Sequence, residues 1–149
     1  MTIRVTVGVC VKNSEKTVKE AIESIMNQTY PHENMHLIIV DGKSKDKTMH
    51  IAREALSKMD MQSDFHSDGG MGLGPARQMV IAHTSGKYVV FVDGDVELSS
   101  DFVQNQVDFM EEHPHAGIAI GKYTYKAGTL IAALQNLYSH VTEFWGNDA

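Results

Sequence analysis

Two carboxylates separated by one glycine follow an apolar run in the second half of the chain. The run is Tyr88 to Val92, and the motif after it is Asp93-Gly94-Asp95. Carboxylates at this spacing can bind a hard divalent cation, and Mn²⁺ and Mg²⁺ both favour oxygen ligands. Such a cation can neutralise the charge that develops on a leaving diphosphate. The motif alone is weak, but its place at the end of a buried strand favours a metal site over a purely structural turn.

Two further strand ends carry polar residues suited to binding. Cys10-Val11-Lys12 lies where the first predicted strand turns into a helix, and the first amides of a helix can hold an anion. Asp41 directly follows a second apolar run, where its carboxylate can accept hydrogen bonds from a base or a ribose. Each has a structural alternative, because the first turn can be a plain helix cap and Asp41 can close the turn that follows it.

A glycine-rich segment, Gly69 to Gly74, precedes Pro75 and Arg77. Its glycines recur at alternate positions, so it is not G-x-G-x-x-G, and no Gly-Lys-Ser/Thr follows. This spacing disfavours a nicotinamide-dependent oxidoreductase and a phosphate loop. Arg77 can pair with a diphosphate or a carboxylate, and a solvated surface arginine is the alternative.

Strand and helix patterns alternate along the chain, which predicts an α/β fold, a three-layer sandwich with a mostly parallel central sheet. Strands are expected over residues 3–11, 36–41, 61–66, 88–92 and 117–125. Helices are expected to start at Ser14, Asp46, Pro75 and Ser99 or Ser100, with a final helix over 130–145. Ligands of such sheets lie outside the carboxyl ends of the strands, so the three polar strand ends should belong to one site.

Composition excludes several classes of protein. The chain has 149 residues, a formal charge of −6 and a single cysteine. These values predict one domain over residues 1–149, no nucleic-acid partner, no internal disulfide and a reducing compartment. No apolar stretch is long enough to span a bilayer, which predicts a cytoplasmic location, alone or as the cytosolic portion of a larger protein. The histidines lack metal-ligand spacing, and no serine elbow supports covalent catalysis.

The strand ends, taken in order, resemble those of the family 2 glycosyltransferases with the GT-A fold. The resemblance is carried by the opening segment Val7 to Ser14, by Ala21 to Thr48 with its Val-Asp-Gly-Lys-Ser-Lys-Asp-Lys-Thr run, and by Gly72 to Asp95 with its Gly-x-Gly-Pro-Ala-Arg. It covers nearly the whole chain, which is more specific than any single motif. A GT-A-like nucleotide-sugar-binding domain is therefore the expected architecture.

The resemblance implies a nucleotide-diphospho-sugar donor, with a UDP-sugar favoured and a GDP-sugar as the other possibility. Cys10 to Lys12 and Asp41 would hold the base, and Arg77 would lie beside the nucleotide. Asp93 would approach the ribose or the metal, and Asp95 would ligate Mn²⁺ or Mg²⁺. The implied donor-binding residues are Cys10, Val11, Lys12, Asp41, Arg77, Asp93, Gly94 and Asp95. Transfer to the acceptor would proceed with inversion.

The chain departs from the family pattern near the donor site. Cys10 and Lys12 stand where the family tends to have proline and an aromatic residue. Gly42-Lys43 replaces a common Asp-Gly, and Val96 replaces a frequent aspartate. These differences affect the side-chain contacts expected around the base of the nucleotide.

The family's general base is a carboxylate well downstream of the metal motif, in the acceptor-binding part. We expect that part to be missing and the base to lie beyond residue 149, since Glu143 and Asp148 are poorly placed for the role. The alternative function is a nucleotide-sugar-binding or assembly module without transfer activity. In that case the predicted final helix of the chain, Leu130 to Trp145, could face a missing domain, a second copy in a homo-oligomer or the inner face of a membrane. The acceptor is not predicted.

Overall fold

The computed structural model describes residues 4–58, 61–122 and 124. The chain divides into two compact units, Met1–Pro114 and His115–Ala149. All helices and strands of the described residues belong to the first unit. The extent of a single domain over residues 1–149 stays a prediction.

Four strands form one parallel sheet in the order β3-β2-β1-β4. The strands are β1 (Val5–Val11), β2 (Met35–Asp41), β3 (Gln62–Ser67) and β4 (Tyr88–Asp93). The helices are α1 (Val18–Met26), α2 (Thr48–Leu56), α3 (Leu73–His83) and α4 (Phe102–Glu112), with a short 3₁₀ turn at His32–Asn34. The predicted α/β class with a parallel central sheet is confirmed.

The strand order reverses between β1 and β4. The first three strands are added in one direction, and the chain then returns through α3 to place β4 on the free side of β1. In open parallel sheets, such a reversal leaves a crevice at the carboxyl ends of the two strands. That position is where Cys10 pairs with Asp93.

One face of the sheet carries the larger core. Alternate residues of β1 are completely or almost completely buried there, as the two-residue period of a strand requires. Helix α1 meets them with apolar residues spaced three or four apart, so that one stripe faces the sheet. Each buried valine or isoleucine contributes roughly 1.5–3 kcal/mol relative to exposure. The members from these two elements are Val5, Val7, Val9, Val11, Val18, Ile22 and Ile25.

The opposite face is covered by α3. Ala76 and Val80 of this helix pack against Ile38 and Val40 of β2. Helix α3 also approaches β1 very closely, because a Cβ added to Gly8 would lie 2.4 Å from Val80 Cγ1. His83 of this helix is exposed, and its ring lies against that of His66 with the centroids 4.0 Å apart and the ring planes tilted by 36°.

Helix α1 begins later than the predicted start at Ser14. The Ser14 carbonyl accepts hydrogen bonds from the amides of Thr17 (3.0 Å) and Val18 (2.9 Å), so a turn precedes the helix. The Ser14 hydroxyl points back to the Lys12 carbonyl at 3.4 Å and does not cap the helix. The helix therefore starts at Val18, which lengthens the segment after β1.

Helix α4 also begins later than the predicted Ser99 or Ser100. Gln28 is buried, and its Oε1 accepts a hydrogen bond from the Val103 amide at 2.9 Å. Its Nε2 donates to the carbonyls of Ser99 (2.7 Å) and Ser24 (3.0 Å). A side chain at the end of α1 thus satisfies the first turn of α4, a role usually taken by a local cap.

The predicted strand over residues 117–125 is not observed within its described part. Residues 117–122 have no strand structure, and a strand exists only where its backbone groups have a ladder partner. Tyr123, Tyr125 and the predicted helix over 130–145 lie outside the described residues.

The contact between Gly8 and Val80 can be tested with two glycine variants. Gly8→Ala should lower the free energy of unfolding by about 1–3 kcal/mol, because the new methyl group overpacks against Val80. Gly74→Ala, in α3 with no atom within 4 Å of the added Cβ, should be neutral or stabilising by up to about 1 kcal/mol. Urea unfolding followed by circular dichroism measures both. Equal stability of Gly8→Ala and the wild type would contradict the packing described.

Candidate functional site

The turn after β1 and the turn after β2 are joined by reciprocal hydrogen bonds. The Asn13 amide donates to Ser44 Oγ (2.9 Å), and the Lys45 amide donates to Asn13 Oδ1 (2.9 Å). The Ser14 amide donates to Thr48 Oγ1 at 2.7 Å. Asn13 has a φ of 51°, a left-handed conformation that asparagine tolerates better than most residues. Backbone groups of each turn are therefore satisfied by side chains of the other.

Asp46 extends this connection. Its Oδ1 accepts from the Thr48 amide (3.0 Å) and its Oδ2 from the Glu15 amide (3.1 Å), while Glu15 Oε2 accepts from the Lys47 amide (3.1 Å). Helix α2 thus begins at Thr48, two residues after the predicted start at Asp46, and Asp46 accepts from its first amide as a residue of the preceding turn. The Thr48 hydroxyl, followed by these amides, holds the pKa of Asp46 below its ordinary value.

These bonds change the expected role of the turn after β1. The amides of Asn13, Ser14 and Glu15 already have partners, and α1 starts only at Val18. These three amides are therefore not free to hold an anion, and the binding role of Cys10 to Lys12 stays a prediction. The residues of the turn that line the cleft include two cationic ones, Lys12 and Lys16.

Asp41 closes its own turn and keeps one carboxylate oxygen free. Asp41 Oδ1 accepts from the Ser44 amide at 3.0 Å, which is the structural role weighed for this residue. Its carbonyl accepts from Ser67 Oγ (3.0 Å) and the Asp68 amide (3.3 Å). Among the described residues, none donates a hydrogen bond to Asp41 Oδ2. The same side chain can therefore shape the turn and bind a ligand.

The Asp-Gly-Asp motif is attached to the turn after β1 through its glycine. Thr17 Oγ1 donates to the Gly94 carbonyl at 2.7 Å. A Cβ on Gly94 would lie 2.9 Å from Val11 Cγ1 and 3.1 Å from Ser14 Oγ. Only glycine lets this backbone come so close, so the spacing between the two carboxylates has a packing cause.

Arg77 reaches across from α3 to the motif. Its Nη2 lies 3.2 Å from Asp93 Oδ1, and its Cζ lies 5.5 Å from the centre of the Phe91 ring. Its Nε is buried and has no hydrogen-bond partner among the described residues. Arg77 therefore orients Asp93 and retains an unused donor.

Cys10 is half-buried beside Asp93. Burial raises the pKa of the Cys10 thiol, Asp93 and Asp68 raise it further, and Arg77 acts in the opposite direction. The thiol therefore stays protonated at neutral pH, the form that is the poorer nucleophile.

Most of the predicted donor-binding residues meet in one open cleft of about 700 Å³. Asp95 is exposed there and forms no ion pair with a described residue. Val11 lies in the core, Asp41 lies at the neighbouring strand end, and Arg77 contacts the motif through Asp93. The cleft is lined by Cys10, Lys12, Asn13, Ser14, Glu15, Lys16, Thr17, Asp46, Leu73, Asp93, Gly94 and Asp95.

The carboxylates suit a cation that takes part of its coordination from a ligand. In the part of the chain that is described, no group of three or more His, Cys, Asp or Glu side chains could hold a metal ion. Asp93 and Asp95 thus offer a partial oxygen site. Mg²⁺ is commonly held in this way, by one or two carboxylates together with phosphate oxygens and water.

Sequence reasoning missed the residue that shapes the glycine-rich loop. Asp68 is 2% exposed, and its two oxygens accept from the amides of Gly70 (2.7 Å) and Gly72 (3.0 Å). The available signal was an aspartate directly before two glycines, a pattern typical of side-chain-stabilised turns. Asp68 fixes the segment that leads into α3 and so the position of Arg77.

The sheet is open and parallel, and two carboxylates lie at the point where its strand order reverses. These two features are typical of an α/β protein that binds a ligand at that edge of the sheet. The sequence profile of Glycosyl transferase family 2 matches residues 6–147. The chain belongs to glycosyl transferase family 2.

Individual proteins that resemble the chain support this assignment. Glycosyltransferase GlyA of Streptococcus pneumoniae is 33% identical over 120 residues, which is 80% of this chain and 17% of that protein. The structure of S. aureus TarS 1-349 in complex with UDP has a TM-score of 0.64 at 25% identity, covering 84% of this chain and 40% of that one. The mannosyltransferase PcManGT from Pyrobaculum calidifontis, in complex with GDP-Man and Mn²⁺, has a TM-score of 0.69 at 26% identity, covering 74% and 33%.

The chain spans less than one-fifth of the GlyA sequence and less than half of each of these two structures. Over the residues that are described, no helix combines the length and the apolar character needed to cross a membrane.

The bonds to Asp46 predict a dependence of stability on acid. Because the pKa of Asp46 is lowered in the folded state, its stabilisation is full above the unfolded value of 3.8 and is lost as pH falls through the folded value. Asp46→Asn should therefore reduce stability at pH 7 and flatten the loss between about pH 5 and pH 2. Urea midpoints across this range provide the measurement. Glu20→Gln, at an exposed position of α1, is the control that should retain the wild-type slope.

Proposed function

We propose that this chain binds the donor of a glycosyltransferase that transfers a sugar from a nucleotide-diphospho-sugar with inversion and requires a divalent cation. The observation that carries the proposal is the Asp-Gly-Asp motif, fixed at the reversal point of the sheet with the Asp95 carboxylate free in the cleft. The UDP complex of TarS and the GDP-Man and Mn²⁺ complex of PcManGT support it. A UDP-sugar is the favoured donor, and a GDP-sugar is the other candidate.

The proposed base and ribose site lies at the ends of β1 and β2. Asp41 Oδ2 is free to accept a hydrogen bond from a base, while Oδ1 keeps the turn closed. Lys12 lies beside it, since a Cβ on Gly42 would be 3.3 Å from Lys12 Cβ. Cys10 contributes its half-buried, protonated side chain to the floor between this region and Asp93.

The proposed diphosphate site lies at the end of β4. Asp95 and Asp93 are the residues that would hold Mn²⁺ or Mg²⁺, and Arg77 keeps Asp93 in position. When bound, the cation would supply Lewis-acid neutralisation of the leaving nucleoside diphosphate. The ammonium groups of Lys12 and Lys16 on the cleft wall add positive charge near the phosphates.

Inversion requires an acceptor oxygen that attacks the anomeric carbon opposite the leaving diphosphate, together with a base that removes its proton. Glu15 lines the cleft, but its carboxylate accepts a hydrogen bond from the Lys47 amide and serves the turn. Glu15 is therefore not proposed as the base, and the position of the base outside the described residues stays a prediction. Glu143 and Asp148 lie outside the described residues.

The second candidate is a nucleotide-sugar-binding module without transfer activity. The observation favouring it is that the described carboxylates of the cleft serve the turns, as Glu15 and Asp46 do, or belong to the proposed metal motif, which leaves none of them as the base. Incubating the purified chain with labelled UDP- and GDP-sugars separates the two candidates. Release or transfer of the sugar supports the enzyme, whereas binding without turnover supports the module.

The metal motif is tested by binding of UDP to the purified chain with and without Mn²⁺. Asp95→Asn should weaken Mn²⁺-dependent UDP binding at least about tenfold, or 1.4 kcal/mol, because a neutral amide is a poorer ligand for a hard cation. Without Mn²⁺, the variant and the wild type should bind UDP equally. Isothermal titration calorimetry measures both conditions.

The matched control is Asp108→Asn, at an exposed carboxylate of α4 that accepts a hydrogen bond from Gln104. It changes the net charge as Asp95→Asn does and should bind UDP like the wild type. Mn²⁺-dependent binding that survives Asp95→Asn unchanged would contradict the proposed metal site. Failure of the wild type to bind UDP and GDP would contradict the donor site as a whole.

A further inference from the structure

Lys43 adopts a backbone conformation that favours glycine. Its φ is 64°, and the only other non-glycine residue with a positive φ among those described is Asn13. A side chain in this region crowds the following carbonyl, so lysine carries a cost here that glycine would not. Residues held in such conformations cluster at ligand sites, where the surrounding structure imposes them.

The neighbours of Lys43 impose its conformation. The Gly42 amide donates to the Val11 carbonyl at 2.8 Å, and the Ser44 amide donates to Asp41 Oδ1 at 3.0 Å. Ser44 is also bonded to the turn after β1 through its hydroxyl. Lys43 is therefore fixed on both sides by bonds that do not involve its own side chain.

The Lys43 side chain lies along the glycine-rich loop. A Cβ built on Gly70 would be 3.5 Å from Lys43 Cβ and 3.7 Å from Lys43 Cδ. These distances are ordinary van der Waals contacts, so the lysine stem packs beside Gly70, and Asp68 holds Gly70 in place. Lys43 is exposed and forms no ion pair with any residue that the structure describes.

The end of β2 thus carries a hydrogen-bond acceptor and a hydrogen-bond donor close together in the chain. The acceptor is Asp41 Oδ2, and the donor is the Lys43 ammonium group. Uracil and guanine present the complementary edge, a ring N–H beside a carbonyl oxygen. Cytosine and adenine present an amino group in place of that carbonyl oxygen, and it would face the ammonium group of Lys43.

We propose that Lys43 is a specificity-determining residue that, together with Asp41, selects nucleotide donors whose base carries a carbonyl oxygen beside a ring N–H. UDP and GDP donors belong to this class, and CDP and ADP donors do not. The inference rests on the proposed donor site and adds to it the residue that discriminates among bases.

The test compares UDP, GDP, CDP and ADP binding to the full chain by calorimetry with Mn²⁺ present. In Lys43→Gly, which suits the φ of 64°, UDP affinity should fall about tenfold and the preference for UDP over CDP should shrink by a similar factor. Lys43→Met, which keeps a long stem without the charge, should show the same change. Urea unfolding should find Lys43→Gly at least as stable as the wild type, because glycine adopts this φ without the cost, and this separates lost recognition from lost folding.

Lys45→Met is the control, because it removes a charge from the same turn. The structural contact of Lys45 is made by its backbone amide, which donates to Asn13, so the substitution leaves that contact in place. It should keep the wild-type preference for UDP over CDP. An unchanged preference in Lys43→Gly and Lys43→Met, or an equal loss in Lys45→Met, would overturn the inference and leave the donor site standing. A wild type that binds none of the four nucleotides would overturn the donor site and this inference with it.

Discussion

The site depends on the hydrogen bonds that join the turns after β1 and β2. These turns run over the carboxyl edge of a parallel sheet, where their backbone groups have left the strand ladder and need new partners. Asn13, Ser44, Thr48 and Asp46 supply those partners across the gap between the two strands. Thr17 then connects the same unit to β4 through the Gly94 carbonyl. The floor of the cleft is thus built before a ligand arrives, which reduces the ordering cost of binding.

The charged groups of the cleft have different structural roles. Arg77 and Asp93 are about equally exposed, at 41% and 47%, so their attraction is screened and contributes little to stability. Its main effect is to set the direction of the Asp93 carboxylate. Asp95 has no such partner among the described residues, which suits the cation-binding role proposed for it. The protein therefore orients one carboxylate of the motif through a neighbouring residue and leaves the other without an ion-pair partner among the described residues.

The parts of the fold that the sequence predicts depend on local periodicity. The apolar run of β2 needed only neighbouring residues, and the convergence of Cys10 and Asp93 followed from the parallel arrangement of strands. The late starts of α1 and α4 could not be predicted in this way. Val103 finds its partner in Gln28, 75 residues earlier, and a bond of that span leaves no periodic signal. The hydrogen bonds from the amides after β1 to side chains of the turn after β2 also join residues distant in sequence, so periodicity could not predict them.

The position of β1 at the centre of the sheet has a consequence for how the chain acquires its shape. β1 pairs with β2 early in the sequence, but its other edge waits for β4, which begins at Tyr88. Beyond β4, Glu111 of α4 returns to the start of the chain, where it pairs with Arg4, and to Lys87 at 2.9 Å. Contacts of such sequence separation form only after a large loop has closed, and they slow folding. Because β4 is synthesised after β1, β2 and β3, the carboxylate motif can join the sheet only after the first three strands have left the ribosome.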